Sequence, residues 1–190
     1  SEMKAHYCLA LKKSKILGLP LYFLGYSLGA AVLLDLLKSR DLKNNFQKII
    51  TISPAIRVHW YTHLPKLLAF FSKEIVIPSF NNKQYRMHKG TTTAAYEALH
   101  TIIDNFDYPH KRKLKVPIMV VIDPKDELVS FSQIQSMIKK NKLSNWQITQ
   151  VNNNESSLDK KYHHLIIDPP SLGKANFIQL QDKMLNFLNH

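Results

Sequence analysis

Residues 19–37 read LPLYFLGYSLGAAVLLDLL. The chain holds five glycines in 190 residues. Two of them, Gly25 and Gly29, bracket Ser27 where a short apolar and aromatic run, LYFL (21–24), gives way to the longer AAVLLDLLKSR (30–40). The first run has the length and composition of a strand and the second those of a helix. A tight turn between such elements lifts the serine above the end of a sheet in a strained backbone conformation. Small flanking residues keep neighbouring side chains clear of it. On this reading Gly25 and Gly29 both sit where a Cβ has no room.

The same alternation continues along the chain. FQKIITISP (46–54), VPIMVVIDP (116–124) and NWQITQVNN (145–153) read as further strands, the middle one β-branched and uninterrupted. Residues 3–17, ended by Gly18 and Pro20, have apolar positions at helical spacing, as do SFSQIQSMIKKNKL (130–143) and the closing KANFIQLQDKMLNFLNH (174–190). Strands that alternate with helices predict an α/β architecture, a mostly parallel sheet with helices on both faces. Residues 55–110 break the pattern. They are rich in aromatic residues and histidines, contain Pro65 and Pro78, and are too long for a simple crossover. They read as a mostly helical insertion over the carboxyl edge of the sheet, a lid or cap, within a single domain spanning 1–190.

Composition sets the outer limits. Hydrophobic residues at 45% and charged residues at 21% describe a globular chain, and 190 residues suffice for one core. No apolar stretch reaches the roughly 20 residues of a membrane span, because residues 19–37 are interrupted by Gly-Tyr-Ser, Gly29 and Asp35. The single cysteine, Cys8, excludes an internal disulfide and a multi-cysteine zinc site, and the opening residues lack a signal-peptide pattern. A cytoplasmic location follows as the expectation. The net charge of +12 invites a nucleic-acid reading. The lysines are scattered, however, and no nucleic-acid-binding signature accompanies them; a peripheral contact with an anionic membrane surface is a weaker option. The densest cluster, HKRKLK (110–115), reads as a solvated loop. His59 and His63 stand at metal-ligand spacing, but no carboxylate or cysteine joins them.

A serine hydroxyl becomes a useful nucleophile when a base takes its proton and donors stabilise the oxyanion that forms. The helix that begins at Ser27 aims amide N–H groups at that position, with Leu28 N–H the natural donor. Three stretches complete the pattern: GYSLG (25–29), DPKDELVS (123–130) after one strand, and KYHHLIIDPP (161–170) after the next. In these stretches the sequence resembles the α/β-hydrolase superfamily, in particular its esterase, lysophospholipase-like and monoacylglycerol-lipase-like members, whose catalytic residues follow in the order serine, acid, histidine.

The resemblance implies Ser27 as nucleophile and Asp126 as acid, with Asp123 standing where the family usually has glycine. For the base it implies His163, since the family often has an acidic residue five positions after the histidine and a proline seven after, matched here by Asp168 and Pro170. His164, one residue out of that register, is the alternative. Neither a metal nor another cofactor is implied. The expected activity is hydrolysis of carboxylic ester or thioester bonds of an apolar acyl substrate. Trp60, Tyr61, Leu64, Leu67, Leu68, Phe70, Phe71 and Tyr96 of the insertion either line a lid or form a small helical core. The alternative from another class is a catalytically silent hydrolase-like binding module.

One element of the resemblance is missing. Such hydrolases have about four strands before the serine turn, including the loop that supplies a second oxyanion donor, whereas 26 residues precede Ser27. The chain therefore reads as the carboxyl-terminal part of a longer protein. In this reading LYFL carries an unpaired edge that meets an upstream segment or a second copy of the chain, or leaves the isolated domain poorly soluble, and the 190 residues alone are a weak or inactive hydrolase.

Overall fold

A computed structural model describes residues 2–37, 45–64, 72–79, 82–86, 88–104 and 115–189. After helix α1 (Glu2–Leu17), strand β1 (Tyr22–Tyr26) runs directly into helix α2 (Ser27–Leu36), and β2 (Lys48–Ile52) follows. A short pair, β3 (Val76–Pro78) and β4 (Gly90–Thr92), precedes helix α3 (Thr93–Asp104). The chain then alternates through β5 (Ile118–Ile122), α4 (Phe131–Lys140) and β6 (Trp146–Gln150), and closes with the single turn α5 (Pro169–Leu172) and the long α6 (Lys174–Asn189).

The main sheet has the order β1-β2-β5-β6, and every pair in it is parallel. Parallel strands point all their carboxyl ends the same way, so the junction after β1 and the loops after β5 and β6 open on one edge of the sheet. Both faces are covered. Ile49, Ile118, Val120 and Ile122 pack with Leu33, Leu34 and Ile134 on one side, while Ile50, Ile52, Met119 and Val121 pack with Leu172 and Leu180 on the other. The alternation within β5 explains its continuous apolar reading, since a strand buried on both faces has no polar side to show. β1 is the end strand of the sheet, and Leu24 is 60% exposed there.

The expected elements are present, with three differences. Helix α1 forms as its spacing predicts, yet Tyr7 is its buried contact and Leu9, Ile16 and Leu17 are exposed. Residues 55–110 were expected to be mostly helix and loop; the described part instead includes β3 and β4 as an antiparallel pair. Val76, Ile77, Thr91 and Thr92 are β-branched, which favours a pleated pair over a helix. The expected positions Leu67, Leu68, Phe70, Phe71 and Pro65, and the basic run at 110–114, lie outside the described residues.

The third difference concerns the two glycines. A Cβ on Gly25 would intrude on the Phe23 ring and come within 3.0 Å of the Ala30 Cα, so β1 and α2 meet closely only because position 25 lacks one. A Cβ on Gly29 would meet nothing within 4 Å. The steric requirement therefore applies to Gly25 and not to Gly29. Gly25→Ala is expected to destabilise the fold by about 1–3 kcal/mol, as overpacking does. In the same denaturant titration Gly29→Ala is expected to stabilise it by about 0.5–1 kcal/mol, because alanine loses less backbone freedom in a helix.

Candidate active site

Ser27 sits at the junction of β1 and α2 with φ +49°, in the left-handed region that a non-glycine residue enters only under constraint. Its carbonyl accepts the Ala55 N–H at 3.2 Å, which ties the turn to the loop after β2. Leu28, the second residue of α2, lies in the first turn, where amides have no intrahelical partner.

His164 Nε2 stands 2.9 Å from Ser27 Oγ. On the other side of the same ring, Nδ1 lies 3.0 and 3.1 Å from the two Asp126 carboxylate oxygens. Asp126 Oδ1 also accepts the N–H groups of Leu128 and Val129, each at 2.8 Å. Burial alone would raise the Asp126 pKa. The hydrogen bond and charge of His164 and the two amides outweigh it and hold the carboxyl below its ordinary value of 3.8. An ionised carboxylate only accepts, so the Nδ1 proton belongs to the imidazole and Nε2 is left to accept the Ser27 hydroxyl. Serine, imidazole and carboxylate thus form one hydrogen-bonded line.

His164, the alternative, and not His163, faces Ser27. His163 points away to Asp123, with Nδ1 2.8 Å from Oδ2. Asp123 also accepts the N–H groups of Lys125 and Asn153. Successive side chains in a non-helical segment project in different directions, so two neighbouring histidines cannot both face the serine. Each takes one of the two aspartates that the turn after β5 supplies. The register markers have another role as well. Asp168 caps α5, accepting the Ser171 N–H at 2.9 Å, and accepts the Tyr85 hydroxyl at 2.8 and 3.0 Å. The acid and the proline thus mark a helix start after the histidine pair and do not distinguish between its members.

Tyr26, His59 and Tyr61 also bond the backbone around the line, a role the sequence did not assign to them. Tyr26 donates its hydroxyl to the His164 carbonyl at 3.2 Å, with the two rings 5.3 Å apart, and burial followed by the nearby Asp126 and Glu127 charges pushes its pKa up. His59 Nε2 donates to the Asp126 carbonyl at 3.1 Å, and the Tyr61 hydroxyl donates to the Glu127 carbonyl. The His63 ring packs at a tilt of 32° against buried His100, their centroids 4.1 Å apart, and no group of three or more candidate metal ligands occurs among the described residues.

A cleft of about 390 Å³ opens beside His164. Tyr26, Leu128 and Leu165 line it from the sheet side, and Pro78, Thr91 and Tyr96 line it from the 55–110 segment. Trp60, 74% exposed, and Leu64 stand on the same segment that pairs Val58 with Val129.

The architecture has counterparts among solved structures. A soluble variant of the monoglyceride lipase from Saccharomyces cerevisiae, in complex with a substrate analog, superimposes with a TM-score of 0.73 at 17% identity. The match covers 98% of this chain and 67% of that one. The monoacylglycerol lipase of Paleococcus ferrophilus gives 0.62 at 12% identity over 96% of this chain and 75% of its own. A putative hydrolase from Agrobacterium vitis gives 0.53 at 14% over 85% and 60%. The fold is that of an α/β-hydrolase. At these identities the likeness establishes the fold alone, and no protein-family sequence model and no curated protein matches the chain. No helix among the described residues is long and apolar enough to cross a membrane.

The depressed Asp126 pKa has a consequence for stability. A carboxyl whose pKa is lower in the folded than in the unfolded chain stabilises the fold above the unfolded value, here 3.8, and that contribution is lost as pH falls through the folded value. The difference in melting temperature between the parent and Asp126→Asn is therefore expected to be largest near neutrality and to shrink below pH 3.8 in calorimetric scans.

Proposed function

We propose that the chain is a serine hydrolase that cleaves carboxylic ester or thioester bonds of an apolar acyl substrate through an acyl-enzyme. The observation that carries this reading is the line from Ser27 Oγ through His164 to Asp126. In it Ser27 attacks the acyl carbonyl while His164 Nε2 takes the hydroxyl proton, then returns it to the leaving alcohol or thiol. A water molecule, activated by the same nitrogen, releases the acid. Asp126 holds the imidazole with its proton on Nδ1 and stabilises the imidazolium that forms. The oxyanion meets the amino terminus of α2, with Leu28 N–H as donor. The strained φ of Ser27 supports the assignment, since backbone strain persists where the surroundings over-determine it.

The cleft beside His164 supports an apolar acyl group, and its wall of Pro78, Thr91 and Tyr96 supports a lid role for residues 55–110. The exposed Trp60 and Leu64 of the same segment support a substrate presented at a lipid surface.

Fluorophosphonate labelling followed by peptide mapping tests the nucleophile directly, with the adduct expected on Ser27. Ser27→Ala and His164→Ala are each expected to lower kcat on a p-nitrophenyl ester by about 1000-fold or more. His163→Ala is expected to lose less than about tenfold, because Asp126 keeps its own partner. Retained turnover in Ser27→Ala overturns the function. Equal losses in the two histidine variants overturn the choice of base.

Acyl preference tests the cleft. Each methylene removed from water contributes about 0.8 kcal/mol, so kcat/KM is expected to rise from acetyl to medium-chain esters. A flat profile would count against the cleft as the acyl site.

A further inference from the structure

Glu127 is a third carboxylate in the turn after β5, and the mechanism above leaves it unused. It lines the cleft beside His164. One of its carboxylate oxygens accepts the His163 N–H and the other accepts the His164 N–H, both at 2.9 Å. A carboxylate that grips two consecutive amides fixes the orientation of the peptide between them, because the bond distances to two oxygens of one rigid group leave little rotation. The His164 carbonyl is meanwhile held by the Tyr26 hydroxyl. The backbone from which the imidazole hangs is thus pinned on both sides of its Cα, once by the residue that follows the acid and once by the residue that precedes the serine.

We propose that Glu127 is a positioning residue for His164: by binding both amides of the His163–His164 pair, it sets the backbone that aligns His164 with Ser27 and Asp126. The inference rests on the proposed function for its catalytic readout, but the position it assigns can be measured without turnover. A carboxylate placed in an otherwise largely apolar cleft costs desolvation energy, and two charge-assisted amide bonds offset part of that cost. Alignment is the return. Displacement of a catalytic group by about 1 Å costs on the order of 100-fold in rate.

Two substitutions separate grip from charge. Glu127→Gln keeps the shape but leaves one acceptor and turns an NH2 group toward the second amide. Glu127→Asp keeps the charge but is one methylene too short to reach both amides. Both are expected to lower kcat by about 10- to 100-fold with KM within about threefold and with a cooperative melting transition retained. The independent readout is the 15N spectrum of the His164 ring, which reports where its proton sits whether or not the chain turns over substrate. The parent and Ser27→Ala are expected to show the Nδ1–H form, and both Glu127 variants a mixture of the two tautomers. Parental kcat in Glu127→Gln, parental kcat in Glu127→Asp, or a His164 tautomer left unchanged in the variants overturns the inference. If Ser27→Ala keeps its activity while the tautomer shifts as stated, the catalytic reading falls and the positioning role of Glu127 stands.

Discussion

The 2.9 Å contact between His164 Nε2 and Ser27 Oγ joins residues 137 positions apart, and the arrangement of the surrounding loops serves it. Neither partner is positioned by its own element alone. Ser27 is held by the close approach of β1 to α2, which the bare Cα of Gly25 permits, and by the Ala55 amide on its carbonyl. His164 is held at its ring by Asp126, at its amide by Glu127 and at its carbonyl by Tyr26. The parallel sheet supplies the common frame, since it brings the ends of β1, β5 and β6 to one edge.

Negative charge is concentrated there in a chain whose net charge is +12. Asp123, Asp126 and Glu127 fall within five residues, and such charges are tolerated away from water only when their oxygens are occupied. Asp123 takes the amides of Lys125 and Asn153 with the His163 ring; Asp126 takes those of Leu128 and Val129 with the His164 ring; Glu127 takes the two histidine amides. Backbone donors dominate this list, so the turn is organised around its own carboxylates. The preceding strand, β5, is buried along its whole length and gives the turn a rigid base.

The segment between β2 and β5 adds a wall to the cleft. His59 and Tyr61 bond the backbone of Asp126 and Glu127, and Val58 pairs with Val129, so the acid turn is clamped from above as well as from the sheet. The same segment carries Trp60 exposed on its outer side. One stretch of chain thereby braces the polar line while presenting aromatic surface outward.

The sequence by itself determined the parallel α/β frame, because buried strands and amphipathic helices leave periodic patterns that local chemistry enforces. It also determined the serine turn, since only a small set of residues allows a helix to start that close to a strand, although it overstated the matter for Gly29. The antiparallel pair at Val76–Pro78 and Gly90–Thr92 escaped notice because three-residue strands are too short to show a period. Which histidine faces Ser27 was beyond it for a different reason. His163 and His164 are adjacent and each takes an aspartate, and the acid and proline that follow mark the start of α5 for both. Which ring faces Ser27 depends on how the segment after β6 crosses the turn after β5, with Glu127 gripping both amides at once. That crossing exists only when strands β5 and β6 lie side by side, so only the tertiary structure could decide it.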